Sequence, residues 1–243
     1  MFKKLILISI FFQISIGVNG QTIGPLVKDS SKKKLVKEAI SPVSLIILGS
    51  LISGGAFEVQ LQKDIRNITG NDFFFGIDDY LIFVPVIEMY SADVIGLKAK
   101  NHWFNQTKYL VISDLLSAVL VFPLKNITKK IRPNGLNWAF PSGHVTFAFT
   151  HAGVLFQEFK DSNLRLAYSG YGFAALTGVF RMLNNKHWLS DVLVGAGIGI
   201  LIPQLVYHFE PLKNWNPIKG IKNVSFAPQI GREHYGIYAQ IKF

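Results

Sequence analysis

Six apolar stretches, separated by polar or Gly- and Pro-bearing connections, most constrain what this chain can fold into. They cover roughly residues 42–57, 79–97, 107–124, 144–159, 165–182 and 189–209. Each is long enough for a helix and too long for a typical strand. Gly195, Gly197 and Gly199 in the last stretch would weaken an isolated helix but permit close helix packing. The pattern predicts an all-α fold, a helical bundle of about six core helices.

The apolar load of the chain indicates contact with a membrane. Hydrophobic residues make up 49% of the 243 residues and charged residues only 16%, a richer apolar content than most soluble domains have. Glu88, Asp93, Asp114 and His151 nevertheless lie inside the stretches. Charged groups at bilayer depth tend to face a bundle interior. Hydropathy therefore leaves two arrangements open, membrane spans with inward polar groups or core helices of a bundle that does not span.

The charge and the cysteine content limit the possible partners and chemistry. A formal net charge of +10 suits anionic partners such as lipid headgroups or phosphorylated substrates. Much of this charge falls in Lys28–Lys37 and Lys125–Arg132 rather than on one long basic face, which argues against nucleic acid. The absence of cysteine excludes disulfides, thiolate metal sites and a cysteine nucleophile.

The amino terminus has the layout of a secretory signal. Lys3 and Lys4 precede an apolar run to Ile16, and small residues follow before Gln21. We expect a signal peptide at 1–20 and a basic segment at 21–41; an uncleaved anchor is the alternative. The predicted location is the cell envelope, membrane-associated or integral, with the site facing the periplasm or exterior. If the signal is cleaved and the first three stretches all span, residues 125–143 face the cytoplasm instead.

The last part of the chain, residues 210–243, differs in pattern from the rest. Residues 235–243 alternate apolar and polar side chains with a period of two, which predicts a strand. Residues 224–230 could pair with it across a short turn. We expect a small β-hairpin that packs as a flap, since one hairpin cannot close a barrel.

Three basic residues offer the charges that phosphoryl transfer requires. A phosphate ester presents negative oxygens whose charge is redistributed during transfer, so fixed cations around them strongly favour the reaction. Lys125 is followed after six residues by Arg132, and Arg181 lies further along the chain. The planar fork of arginine can bridge two oxygens, which lysine does less well. These three residues are predicted to bind phosphate.

A second cluster, Pro141-Ser142-Gly143-His144, directly precedes an apolar helical stretch. The Ser142 hydroxyl and the Gly143 N–H would therefore lie at a helix amino terminus, which is a favourable anion site. His144 is available to protonate the leaving oxygen as a general acid. Ser142 and Gly143 join the predicted phosphate site, and His144 is a predicted catalytic residue.

A third cluster pairs an imidazole with a carboxylate. His187 and Asp191 are four positions apart, so at the start of a helix the carboxylate lies one turn from the ring and can accept its Nδ1–H. The other ring nitrogen, Nε2, would then be free to attack phosphorus. His187 is the predicted nucleophile and Asp191 its orienting partner. No other Asp, Glu and His grouping has metal-ligand spacing, so no metal and no cofactor is predicted.

The three clusters together resemble the signature motifs of the type 2 phosphatidic acid phosphatase and vanadium haloperoxidase superfamily. The resemblance covers roughly residues 80–208 and implies an all-helical core, a phosphohistidine intermediate, no metal, and substrates that are often lipid phosphates. It implies the same roles for the predicted residues: His187 as nucleophile, Asp191 as orienting carboxylate, His144 as acid, and a phosphate cradle of Lys125, Arg132, Ser142, Gly143 and Arg181. One departure is Phe180, where the family often has serine.

The sequence thus predicts a helical phosphatase domain at 42–209 that hydrolyses a phosphomonoester or pyrophosphate, with a phosphorylated lipid as substrate. Three alternatives stay open: a soluble envelope phosphatase for small phosphate esters, a vanadium-dependent haloperoxidase, and a non-catalytic lipid-binding membrane protein. The sequence does not indicate which lipid is cleaved or the oligomeric state.

Overall fold

The computed structural model describes residues 25–215, 224–230 and 235–241, and the predicted signal at 1–20 lies outside them. The chain divides into two compact units, with the boundary between Phe209 and Glu210. Within the described residues the first unit contains eight helices and no strand, which confirms the all-α prediction for this region. The helices are α1 Pro25–Ile52, α2 Ala56–Thr69, α3 Asp78–Leu81, α4 Val84–Val94, α5 Trp103–Thr128, α6 Gly143–Phe159, α7 Leu164–Leu183 and α8 Leu189–Phe209.

The helices depart from the predicted stretches in three places. The second stretch, 79–97, forms two helices, α3 and α4, rather than one. The short amphipathic helix α2 lies mostly outside the stretches because its apolar residues are interrupted by polar ones, so it does not form an apolar run. Helix α1 is continuous across the predicted boundary at residue 42, with Pro42 inside it. These differences matter because α2 and α3 both contribute residues to the site described below.

Helix α8 lies at the centre of the bundle and packs on α1, α5 and α6. Its glycines make this close packing possible. A Cβ added to Gly199 would lie 2.4 Å from the Thr146 carbonyl oxygen of α6, and one added to Gly197 would lie 2.6 Å from the Pro42 carbonyl oxygen of α1. Such distances are shorter than van der Waals contact, so a methyl group fits at neither position. The predicted role of these glycines in helix packing is confirmed.

Within the described residues, three helices are long and apolar enough to cross a membrane, judged by length and composition: Lys33–Ile52 of α1, Trp103–Thr128 of α5 and Leu189–Phe209 of α8. Exposed apolar side chains such as Leu51, Leu115 and Val119 lie on the first two. A partly buried polar pair lies between α5 and α6, where His151 Nε2 lies 3.2 Å from Asp114 Oδ1. Intramembrane ionisable groups commonly pair in this way.

In the described part of the second unit the chain forms two strands, β1 Val224–Ile230 and β2 Tyr235–Ile241. They run antiparallel, with Val224 opposite Ile241 and Ile230 opposite Tyr235. That these segments form a flap packed on the helices stays a prediction.

Candidate active site

The amino-terminal ends of α6 and α8 meet, and this contact brings the second and third sequence motifs together. The Ser142 backbone N–H donates to the Asp191 carbonyl oxygen over 3.0 Å. A Cβ on Gly195 would lie 2.8 Å from the Ser142 carbonyl oxygen. The two segments can therefore approach this closely only because residue 195 has no side chain. Gly143 is the first residue of α6, as predicted. The turn that carries Ser142 therefore lies against the first turn of α8.

His187 lies just before α8, where it is buried beside Asp191. Its side chain is 1% exposed, and its Nδ1 lies 3.5 Å from Asp191 Oδ2. This distance is long for a hydrogen bond, and Nδ1 has no hydrogen-bond partner. The Trp188 backbone N–H donates to the same carboxylate oxygen over 2.9 Å. Asp191 is thus fixed close to the imidazole, in the position from which it can orient the ring.

Burial keeps the His187 imidazole neutral. Burial lowers the pKa of His187 to about 4, assisted by Arg181 and Lys125, whereas Asp191 acts in the opposite direction. Above this pKa the ring holds one proton and one free lone pair, the form that a nucleophile requires. Arg181 and Lys125 thus both act on the charge of the His187 ring.

The second oxygen of Asp191 is bound by Lys130, a residue that the sequence analysis did not single out. Lys130 Nζ donates to Asp191 Oδ1 over 3.1 Å, to Ser190 Oγ over 2.7 Å and to Glu58 Oε1 over 2.9 Å. Ser190 also donates to Glu58, which is 1% exposed on α2. Asp191 is therefore held by a buried polar cluster of Lys130, Ser190 and Glu58.

Arg181 is held by carboxylates that the sequence analysis also missed. Its Nη1 donates to Asp78 Oδ2 over 2.9 Å and lies 3.4 Å from Asp79 Oδ1. Asp78 is fully buried and also accepts from Asn184 over 2.8 Å and Lys186 over 3.3 Å. A buried arginine with a carboxylate partner is fixed in both position and charge. The sequence feature that could have indicated these partners is the pair of adjacent aspartates at the start of an apolar stretch.

His144 lies at the edge of the site, where it is accessible to a substrate. Its side chain is 40% exposed, and its Nε2 lies 2.9 Å from Asp79 Oδ1. Burial and then Arg181 lower the pKa of His144, whereas Asp79 acts in the opposite direction. Asp79 therefore connects the predicted acid, His144, with the predicted phosphate ligand, Arg181.

Lys125 and Arg132 of the first motif lie around the turn that carries the second. Lys125 Nζ donates to the carbonyl oxygens of Trp138 over 2.8 Å and Pro141 over 2.7 Å. Arg132 is half-buried, and its backbone N–H donates to Leu136 over 2.7 Å. Coulomb interactions link Lys125 with Arg132, Arg181 and Asp191. The three motifs, which span residues 125–191, thus meet in one place.

Four residues of the motifs carry a buried polar atom that has no hydrogen-bond partner. These atoms are Arg132 Nε, Ser142 Oγ, Arg181 Nε and His187 Nδ1. His187 Nδ1 faces Asp191, whereas the other three atoms are donors without a partner. Buried polar groups are usually satisfied, so the clustering of these three donors at one site indicates a polar ligand. The two guanidinium N–H groups and the hydroxyl can each donate to an anionic oxygen. Within the described ranges, the site included, no cluster of three or more His, Asp or Glu side chains could hold a metal ion.

Comparisons with known proteins identify a family that matches the part of the chain containing the site. The family model described as the PAP2 superfamily matches residues 134–215, which include the second and third motifs. A lipid A 1-phosphatase from Porphyromonas gingivalis is 31% identical over 170 residues, or 67% of this chain. The alignment spans only 38% of the length of that relative.

Two solved structures are also similar. LpxE from Aquifex aeolicus is 24% identical and covers 65% of this chain and 98% of its own, with a TM-score of 0.48. The transmembrane PAP2-type phosphatidylglycerolphosphate phosphatase from Bacillus subtilis is 18% identical and covers 90% of this chain and all of its own, with a TM-score of 0.43. The family match, the curated relative and the three motifs together show that this chain belongs to the PAP2 superfamily.

Proposed function

We propose that this chain is a metal-independent lipid phosphatase that acts through a phosphohistidine intermediate. The observation that carries the proposal is the neutral, buried His187 beside Asp191, with unpartnered donors of Arg132, Ser142 and Arg181 in the same site. An uncharged imidazole near fixed cations can attack a phosphoryl group whose charge those cations stabilise.

In the proposed reaction, His187 Nε2 forms a bond to phosphorus while the bond from phosphorus to the leaving oxygen breaks. His144 donates a proton to that oxygen. The imidazolium that forms is stabilised by Asp191, which lies 3.5 Å from Nδ1. Water then attacks the phosphohistidine, gives a proton to His144, and releases phosphate and free His187. Lys125, Arg132, Ser142, Gly143 and Arg181 bind the phosphoryl oxygens in both steps.

A lipid is the proposed substrate class, and a phosphorylated glycolipid is the first compound to test. The three apolar helices support a location in a membrane, and one relative is named as a lipid A 1-phosphatase. We propose that the protein resides in the cell envelope with this site facing the periplasm or exterior. A soluble enzyme for small phosphate esters would turn over an aryl phosphate as well as a lipid, and without detergent.

A panel of substrates tests this proposal. Purified protein in detergent should release inorganic phosphate from at least one lipid among phosphatidate, phosphatidylglycerol phosphate, a polyprenyl pyrophosphate and a lipid A phosphate. Its kcat/KM for that lipid should exceed the value for an aryl phosphate. Bromide oxidation by peroxide after loading with vanadate would favour the haloperoxidase alternative, and a folded protein without turnover would favour the non-catalytic one.

A further inference from the structure

An open cavity of about 370 Å³ is lined by residues that take no part in the proposed reaction. This volume falls within the range of roughly 300–1,000 Å³ that small-molecule sites occupy. Five of its lining residues come from α2 and four from elsewhere: Val59, Gln62, Lys63, Arg66 and Asn67, with Asn71, Pro133, Asn185 and Trp188.

Two of the lining residues directly follow residues of the proposed reaction in the chain. Trp188 directly follows His187, and Pro133 directly follows Arg132. Trp188 Nε1 donates to the Ile131 carbonyl oxygen over 2.8 Å, so the indole is held in place. A substrate whose phosphate lies at His187 could therefore extend its headgroup into this cavity.

One face of α2 is polar where it lines the cavity. Its residues there are spaced at i, i+3, i+4, i+7 and i+8, which places them on one side of a helix. The opposite side carries Phe57 and Ile68, which are 62% and 86% exposed. Gln62 Nε2 donates to Asn185 Oδ1 over 2.8 Å, which ties α2 to the segment before His187. The side of α2 that lines the cavity is thus mostly polar, and the opposite side carries exposed apolar residues.

The charge of the cavity favours an anion. Lys63 and Arg66 are the charged residues among those that line it, and no carboxylate is among them. Arg66 Nη2 donates to the Leu183 carbonyl oxygen over 2.9 Å, which fixes the guanidinium, while its Nε is buried without a hydrogen-bond partner. Lys63 is exposed, and Asn67 and Asn71 add amide groups that donate hydrogen bonds. Cationic side chains together with neutral donors are the usual ligands of phosphate and carboxylate groups.

We propose that this cavity binds a second anionic group of the substrate headgroup, one that is retained when the phosphate at His187 is removed. The proposal rests on the proposed function, since it concerns the same substrate. The second group could be another phosphate monoester on a sugar headgroup or the phosphodiester of a glycerol headgroup, and both present the same anionic oxygens. The cavity would then determine which lipid phosphates are preferred.

The test compares matched lipids that differ in the second anionic group. One pair is a bisphosphorylated and a monophosphorylated glycolipid, and the other is phosphatidylglycerol phosphate and phosphatidate. The ratio of kcat/KM within each pair is measured in the same detergent. The unaltered protein should prefer the doubly anionic member of one pair. The pair in which this preference appears identifies the source of the second anionic group.

Lys63→Gln should lower this ratio about tenfold, the size expected from one well-placed charge interaction. Asn67→Asp, which places a negative charge in the cavity, should lower it as well. Lys37→Gln removes an exposed charge on α1 that does not line the cavity, and it should leave the ratio unchanged.

The proposal is overturned if the unaltered protein shows no preference within either pair, or if both cavity variants keep the unaltered ratio. The same holds if Lys37→Gln lowers the ratio as much as Lys63→Gln does, because the effect would then come from overall charge. An unaltered protein that cleaves neither pair and no aryl phosphate contradicts the proposed function itself, and the inference about the cavity fails with it.

Discussion

Lys130 Nζ lies 3.1 Å from Asp191 Oδ1, whereas the His187 ring lies beside the other carboxylate oxygen, Oδ2. The two residues are 61 positions apart in the chain. Because Lys130 is also bound to Glu58, the position of Asp191 depends on α2 as well as on α8. The orienting partner of the proposed nucleophile is therefore itself held by an ion pair.

Lys130→Met should lower kcat about 10- to 100-fold with little change in KM, because Asp191 loses its fixed position and the buried Asp191 and Glu58 carboxylates are left without their cation. Lys130→Arg should retain more activity, since it keeps the charge. Lys129→Met is the matched control, because Lys129 is exposed beside it. Steady-state kinetics on one lipid phosphate give kcat and KM for the three variants. A change confined to KM would show that Lys130 acts on substrate binding instead.

Asp79→Asn should move the basic limb of the kcat profile to lower pH. His144 must be protonated to donate to the leaving oxygen, and the negative charge of Asp79 raises its pKa. Without that charge His144 loses its proton at a lower pH, so activity on alkyl phosphates falls earlier as the pH rises. An aryl phosphate, whose leaving group needs no proton, should respond less.

The control for this variant is Asp72→Asn, which removes an exposed carboxylate between α2 and α3. It should leave the profile unchanged. If the basic limb of Asp79→Asn stays in place or moves to higher pH, Asp79 does not support the protonated form of His144.

Gly199→Ala should destabilise the helical unit by about 1–3 kcal/mol, because the new methyl group would meet the Thr146 backbone oxygen and cannot displace it without moving α6. Gly172→Ala on α7 is the matched control, since nothing lies within 4 Å of a Cβ there. Replacing glycine in a helix at an open position should be neutral or stabilising by about 0.5–1 kcal/mol. Thermal unfolding in detergent measures both, and equal effects would refute the packing argument.

Vanadate should inhibit competitively, and a chelator should leave activity intact. Trigonal-bipyramidal vanadate imitates the transferring phosphoryl group and should bind tightly to the donors of Arg132, Ser142 and Arg181. The proposed reaction uses only side chains of this chain. Inhibition constants and an assay in excess chelator test both points; loss of activity that a divalent ion restores would contradict the mechanism.

The residues of the three motifs were predictable from sequence because each motif is local, with its chemistry and helix start within a few residues. Lys130 lies inside the first motif, but a basic run does not indicate which lysine faces inward. Asp78 meets Arg181 across 103 positions, and Glu58 meets Ser190 across 132. Such pairings arise only from tertiary packing, so the partners that hold the site could not be found by spacing.

The fold shows the same division between local and long-range information. Long apolar runs predicted α5, α6, α7 and α8 well, because helices that are apolar on most of their surface form continuous apolar sequence. Helix α2 alternates apolar with polar residues and was missed. Glu58 of this helix is buried and bound to Lys130, which holds Asp191. The helix that the apolar pattern did not predict therefore contributes to the surroundings of His187.

The most direct test of the central claim is to trap the proposed phosphoryl-enzyme on His187. Rapid acid-free quenching with a substrate labelled in its phosphate should give an acid-labile, base-stable labelled protein, as expected for a phosphohistidine. The label should form in the unaltered protein and in His144→Ala with an aryl phosphate, and should be absent in His187→Ala. A label that persists in His187→Ala at the unaltered level would contradict the account, because another group would then be the nucleophile.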